Sequence, residues 1–160
     1  MTKSKKIILL VFIGLLIFWF IFIKFLDIEE YVVNNNYIVV RTWLFLGGNP
    51  NRLLPYDNSL LYIATGPKGG LEVAKVLVDA GADVNKGQAK FTPLMNAASW
   101  GAYDIVQFLL DHGADPNLKN EMGKNALQEA DYDAWTRYTL EKVTSKDTSV
   151  KTSKSQPVSK

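Results

Sequence analysis

A short ending, Gly-x-x-x-Asn, recurs three times and constrains this chain more than any other feature. Gly47-Gly48-Asn49-Pro50-Asn51, Gly81-Ala82-Asp83-Val84-Asn85 and Gly113-Ala114-Asp115-Pro116-Asn117 align position by position, with spacings of 34 and 32 residues. A second mark keeps the same rhythm. Ser59, Thr92 and Asn125 lie 33 residues apart, and each is of a type whose side chain accepts a bond from an orphaned backbone N–H at a helix start. Two independent marks with one period point to stacked supersecondary units, since self-similarity at a fixed period is the signature of a repeat array.

The best-preserved unit spans Thr92 to Asn117. Thr92 caps a first helix from Pro93 to about Trp100; Pro93 sits at the first helical position, where a missing N–H costs nothing. Gly101 breaks that helix. A second runs from about Tyr103 to His112, and Gly113 ends it in the left-handed conformation. With its Thr-Pro-Leu start, paired Ala97-Ala98, inter-helix Gly101 and Gly-Ala-Asp-x-Asn end, this stretch resembles an ankyrin repeat. Met95 stands where that family has histidine, so the polar bonds of the imidazole are expected to be missing.

The resemblance implies an all-α helical solenoid of about four units, including degenerate caps: residues 27–51, 59–85, 92–117 and 123–143. In the first, Asp27 caps a short helix, Asn34-Asn35-Asn36 turns, and Tyr37 to Leu46 forms a second helix with Val39, Val40, Trp43 and Leu44 on its apolar face. In the second, Gly66-Pro67-Lys68-Gly69-Gly70 joins the helices. It lacks the Gly-Lys-Ser/Thr ending and preceding strand of a phosphate loop, and reads as a plain turn. The fourth has its second helix from Ala134 to Val143 and no Gly-Ala-Asp ending, as suits a terminal unit with nothing to cover its outer face. Residues 144–160 carry Thr, Ser and Lys with little that is apolar. They read as a disordered tail, with a basic arm as the other reading.

Ile7 to Ile23 is a run of 17 apolar residues, counting Gly14, and extends to Leu26. As a helix of about 1.5 Å per residue, residues 7–26 match a hydrocarbon core of about 30 Å. The expectation is one N-terminal transmembrane helix, contacting the lipid bilayer, after a basic segment 1–6. A cleaved signal peptide is the rival; Lys24-Phe25-Leu26-Asp27 offers no small-residue cleavage site. Lys3, Lys5 and Lys6 before the run and Asp27, Glu29 and Glu30 after it place the N-terminus in the cytoplasm. The repeats would then be periplasmic or otherwise extracytoplasmic, on a single-pass inner-membrane protein.

Charge is segregated. Residues before Asp27 carry four lysines and no acid; residues 27–143 carry 10 Lys or Arg against 15 Asp or Glu; the tail carries four Lys and one Asp. The mildly acidic folded part shows no basic face of the kind nucleic acid needs. No cysteine is present, so neither disulfides nor thiolate metal sites are possible. His112, the single histidine, precedes a helix-ending glycine, where an imidazole can bond free carbonyls. Asp111, His112 and Asp115 fall short of a converging metal set. Glu129, Asp131 and Asp133 read as a solvated helix end rather than a carboxylate pair across a cleft. No metal, cofactor, small-molecule substrate or catalytic constellation is expected.

The resemblance implies a surface instead. First helices and projecting turns line a concave face that takes a protein partner. Its outward positions would be Phe91, Asn96, Ser99 and Trp100 in the third unit, Ile63 and Pro67 in the second, and Lys124, Gln128 and Tyr132 in the fourth, with turn tips at Gly87, Gln88, Lys119 and Asn120. Large exposed aromatics are enriched at binding hot spots, which favours Trp100 and Phe91; alternatively Phe91 packs on a neighbouring turn and Trp100 shields the helix gap. The expected function is a membrane-tethered, non-catalytic scaffold or inhibitor. An immunity protein neutralising a toxic enzyme is the specific alternative, and a hydrolase with a cryptic site the remote one.

Overall fold

The computed structural model describes residues 3–24, 27–68, 70–88, 90–130 and 134–153. Helix α1 spans Lys3–Lys24. The repeats hold α2 (Ile28–Val33), α3 (Tyr37–Phe45), α4 (Leu60–Ala64), α5 (Leu71–Asp79), α6 (Pro93–Ser99), α7 (Tyr103–Asp111), α8 (Ala126–Glu129) and α9 (Ala134–Ser153). They pair as α2 on α3, α4 on α5, α6 on α7 and α8 on α9. First helices α2, α4, α6 and α8 pack in one row, and second helices α3, α5, α7 and α9 in another. The core lies between the rows, in buried residues such as Ile28, Leu60 and Leu94 on one side and Val40, Leu77 and Leu109 on the other.

The local chemistry is that of the repeated marks. The side chains of Ser59, Thr92 and Asn125 accept from the backbone N–H of Tyr62, Met95 and Gln128. Trp43, Leu77 and Leu109 carbonyls accept from Gly48, Ala82 and Ala114 at 3.0, 2.9 and 2.9 Å, closing each second helix in the same way. Gly81 and Gly113 stand at φ +88° and +87°, a region open at little cost only to glycine, which has no Cβ. Gly47, the equivalent residue, has φ +91°.

The terminal asparagines tie unit to unit. Asn51 Oδ1 accepts from Asp83 N at 2.8 Å while its amide donates to Gly81 O at 2.9 Å. Asn85 does the same with Asp115 N at 2.8 Å and Gly113 O at 3.5 Å. One side chain thus satisfies an acceptor and a donor of the following unit, and the ending must recur at the repeat period.

Two expectations are corrected. The side chains of α1 that are described, residues 5–19, are exposed. Among the described residues, no helix is long and apolar enough to cross a membrane. The transmembrane helix over 7–26 is therefore not supported, and single-pass placement in the inner membrane falls with it. The second correction concerns Met95. It is buried, and its thioether sulfur receives the Thr92 N–H at 3.5 Å. The reciprocal bond survives through sulfur, a weak acceptor, as it does through the Gln128 amide to Asn125 N at 3.0 Å.

Helix α9 continues past 143 into the segment read as tail; residues 154–160, like Asp131, Tyr132 and Asp133, lie outside the described residues.

Between units the chain projects turns. Leu53 pairs with Ser59, and Gln88 with Phe91. A Cβ placed on Gly87 would overlap the Phe91 carbonyl, so this turn closes only around glycine. Gly87→Ala is expected to lower unfolding free energy by about 1–3 kcal/mol, the usual cost of overpacking, read from urea denaturation; an unchanged midpoint would mean the turn opens freely.

Candidate functional site

Two neighbouring grooves lie along the first-helix side. The larger, about 310 Å³, is lined by Val33 from α2, Tyr62 and Ile63 from α4, Gly66, Pro67 and Lys68 from the turn after it, and Asn96 and Trp100 from α6 and its end. The second, about 290 Å³, lies between turns and is lined by Tyr62, Gln88, Phe91, Asn120, Glu121 and Met122. Tyr62 borders both, and its ring meets Phe91 edge-on at 6.4 Å. Burial pushes the Tyr62 hydroxyl above its ordinary pKa, so the phenol stays protonated.

Asn96 sets the geometry of the larger groove. It is buried, and its amide donates to Tyr62 O at 2.9 Å and Thr65 Oγ1 at 3.2 Å. Its Oδ1 accepts from Trp100 Nε1 at 3.2 Å. The side chain clamps α4 to α6 and fixes the indole at once. Trp100 remains 57% exposed. With its N–H occupied, it offers a ring face and not a donor.

Four of the nominated residues, Ile63, Pro67, Asn96 and Trp100, thus share one groove, and Phe91 stands in the other. Asn96 is not an outward position but the floor. Ser99 is half-buried and bonds Asn96 O at 2.9 Å. Lys124 and Gln128 are exposed on the fourth unit: Lys124 Nζ is 3.9 Å from Glu129 Oε1, and Gln128 caps α8. Tyr132 lies outside the described residues. Of the turn tips, Gln88 and Asn120 line the second groove, Lys119 is exposed and Gly87 half-buried. Asn120 is itself buried and accepts from Met122 N and Lys124 N at 3.0 Å each.

Sequence reasoning missed Tyr62, Val33, Lys68 and Met122. Tyr62 had a signal: it sits three residues after its cap, the place Met95 holds a unit later, and an aromatic there reaches past the cap. His112 lies where expected, with Nδ1 2.7 Å from Phe108 O. Among the described residues, no group of three His, Asp or Glu could hold a metal ion.

A two-row helical solenoid with an apolar groove along its first helices is a scaffold of the macromolecule-binding class. The family model for ankyrin repeats (3 copies) matches residues 30–120, more than half of the sequence, and the chain belongs to the ankyrin-repeat family. It is 47% identical over 62 residues to the E3 ubiquitin-protein ligase hecd-1 of Caenorhabditis elegans, covering 39% of this chain and 2% of that protein. It is 37% identical over 95 residues to protein phosphatase 1 regulatory subunit 12A of Mus musculus, covering 58% and 9%. To the putative ankyrin repeat protein R664 of Acanthamoeba polyphaga mimivirus it is 33% identical over 96 residues, covering 56% and 59%. The chain therefore spans a small part of the first two relatives and under two thirds of the third.

Proposed function

We propose that this chain is a non-catalytic protein-binding module that holds one protein partner against the groove at Trp100, as a scaffold or an inhibitor. The observation that carries this reading is the convergence of Val33, Ile63, Pro67 and Trp100, from three successive units, on one apolar groove. A rigid, half-exposed indole beside apolar walls is the kind of anchor point that dominates interface energetics. Membership of the ankyrin-repeat family supports the same class of work. One relative is by its name a regulatory subunit, which suits a module that acts by being bound.

The test uses the full chain as bait beside a Trp100→Ala bait. A protein retained by the first and not the second is purified, and its affinity measured directly. The expected loss is about tenfold or more at an unchanged melting temperature. Equal affinity for both baits would remove the groove from the binding surface.

A further inference from the structure

The front and back of the second and third units carry opposite charge. From Ser59 to Gly70 and from Val84 to Ala102, the stretches that supply the first helices and projecting turns, the chain has Lys68, Lys86 and Lys90 and not one carboxylate. From Leu71 to Asp83 and from Tyr103 to Asp115, which supply the second helices and their endings, it has Glu72, Asp79, Asp83, Asp104, Asp111 and Asp115 against Lys75 alone. Lys75 is paired with Glu72 at 2.8 Å. Lys68, Lys86 and Lys90 are exposed and form no ion pair among the described residues. Lys68 lines the Trp100 groove and is the charged residue among its walls. The neighbouring units do carry carboxylates, among them Glu30 on α2, Asp57 in the turn before Ser59, Glu121, which lines the second groove, and Glu129, which is held by Asn120 at 2.9 Å and by Lys124.

This pattern limits what fits. Asn96, the polar group on the floor, is taken up by Tyr62, Thr65 and Trp100. The groove therefore selects by apolar contact and by the cation at its rim. We infer that the partner presents an acidic peptide segment with one large apolar side chain, the side chain seated against Trp100 and Pro67 and its acidic neighbours facing Lys68. This rests on the protein-binding reading above and specifies its ligand. Complementary charge of this kind steers encounter and rejects like-charged partners. A nucleic-acid strand shares the negative charge, but such ligands call for a continuous cationic track with stacked aromatics, whereas here Lys68 is the one cation lining the groove beside the exposed Trp100 indole.

The experiment is fluorescence anisotropy on the full chain, kept in solution by a mild non-ionic detergent. The labelled probes are a capped peptide with one phenylalanine among glutamates and aspartates, its alanine-for-phenylalanine version, its lysine-for-acid version, and an oligothymidylate. The acidic phenylalanine peptide is expected to bind, to weaken as salt rises, and to lose about tenfold in affinity on losing its phenylalanine. The same loss is expected with Trp100→Ala or with the surface change Lys68→Glu, which touches nothing in the core. Tighter binding of the lysine peptide, still dependent on Trp100, would overturn the acidic ligand and leave the groove reading standing. Trp100-dependent binding of oligothymidylate alone would overturn it in favour of nucleic acid. Binding of no peptide, while the full-chain bait still retains a partner through Trp100, would overturn the ligand class alone.

Discussion

Leu109→Ala is expected to lower the free energy of unfolding by about 2–5 kcal/mol, the range for removing a fully buried leucine side chain. Leu109 has no exposed surface and lies in the core of α7 beside Val106. It occupies the position of Leu77 one unit earlier and of Trp43 two units earlier, each one followed five residues on by the residue that closes its helix. The truncation leaves a void between the two rows, and the backbone around it is held by the Ala114 N to Leu109 O bond at 2.9 Å, so collapse is restricted. In a solenoid, stability is a sum of unit terms and neighbour interfaces. A weakened third unit also loosens the fourth, which rests on it through α6 with α8 and α7 with α9. Against a whole-domain stability of about 5–15 kcal/mol the loss is large, and urea denaturation followed by helical circular dichroism measures it. A shift under about 1 kcal/mol would mean that the two rows do not enclose this side chain as a core.

The same equivalence shows what the sequence could and could not disclose. Period, caps and endings were legible because each rests on local bonds: a cap bonds the N–H three residues on, and a left-handed glycine bonds within its own turn. Where a glycine ending bounds the helix, its end accordingly falls within a residue or so of expectation, as at Tyr103–Asp111, whereas α9, which has no such ending, runs past the expected Val143 to Ser153. The first ending reads Gly-Gly where the others read Gly-Ala, and the reason is tertiary. A Cβ on Gly48 would overlap the ring of Trp43, whereas Leu77 and Leu109 leave room for Ala82 and Ala114. Asn96 was misjudged for a similar reason. As a letter it is a polar residue at an outward position. Its burial depends on Tyr62 O and Thr65, about a unit earlier, and on Trp100 one turn later, and no local pattern joins those residues. The Met95 thioether contact was also hidden, since sulfur is seldom counted among capping acceptors.

Trp100→Ala and Asn96→Ala are expected to separate binding from folding, although the two side chains touch. Trp100 is more than half exposed, and its removal frees one acceptor, Asn96 Oδ1, that water can reach through the groove. The melting temperature should move little, while affinity for a groove-bound partner should fall by about tenfold or more, about 1.4 kcal/mol, as for an anchor residue of an interface. Asn96→Ala acts on the other side of that contact. It removes the donor that the Tyr62 carbonyl and Thr65 Oγ1 share; these keep their own bond at 2.7 Å, but two hydrogen bonds inside the α4–α6 contact are lost at about 0.5–1.5 kcal/mol each, and the indole is released to rotate. Stability should therefore drop, and affinity should weaken as well, because a mobile anchor must be ordered on binding at about 0.5–1.5 kcal/mol per side chain. Melting curves and titrations on both variants check this together. If Trp100→Ala melted as early as Asn96→Ala and Leu109→Ala, the indole would be part of the packed interior and the partner would have to be sought elsewhere on the solenoid.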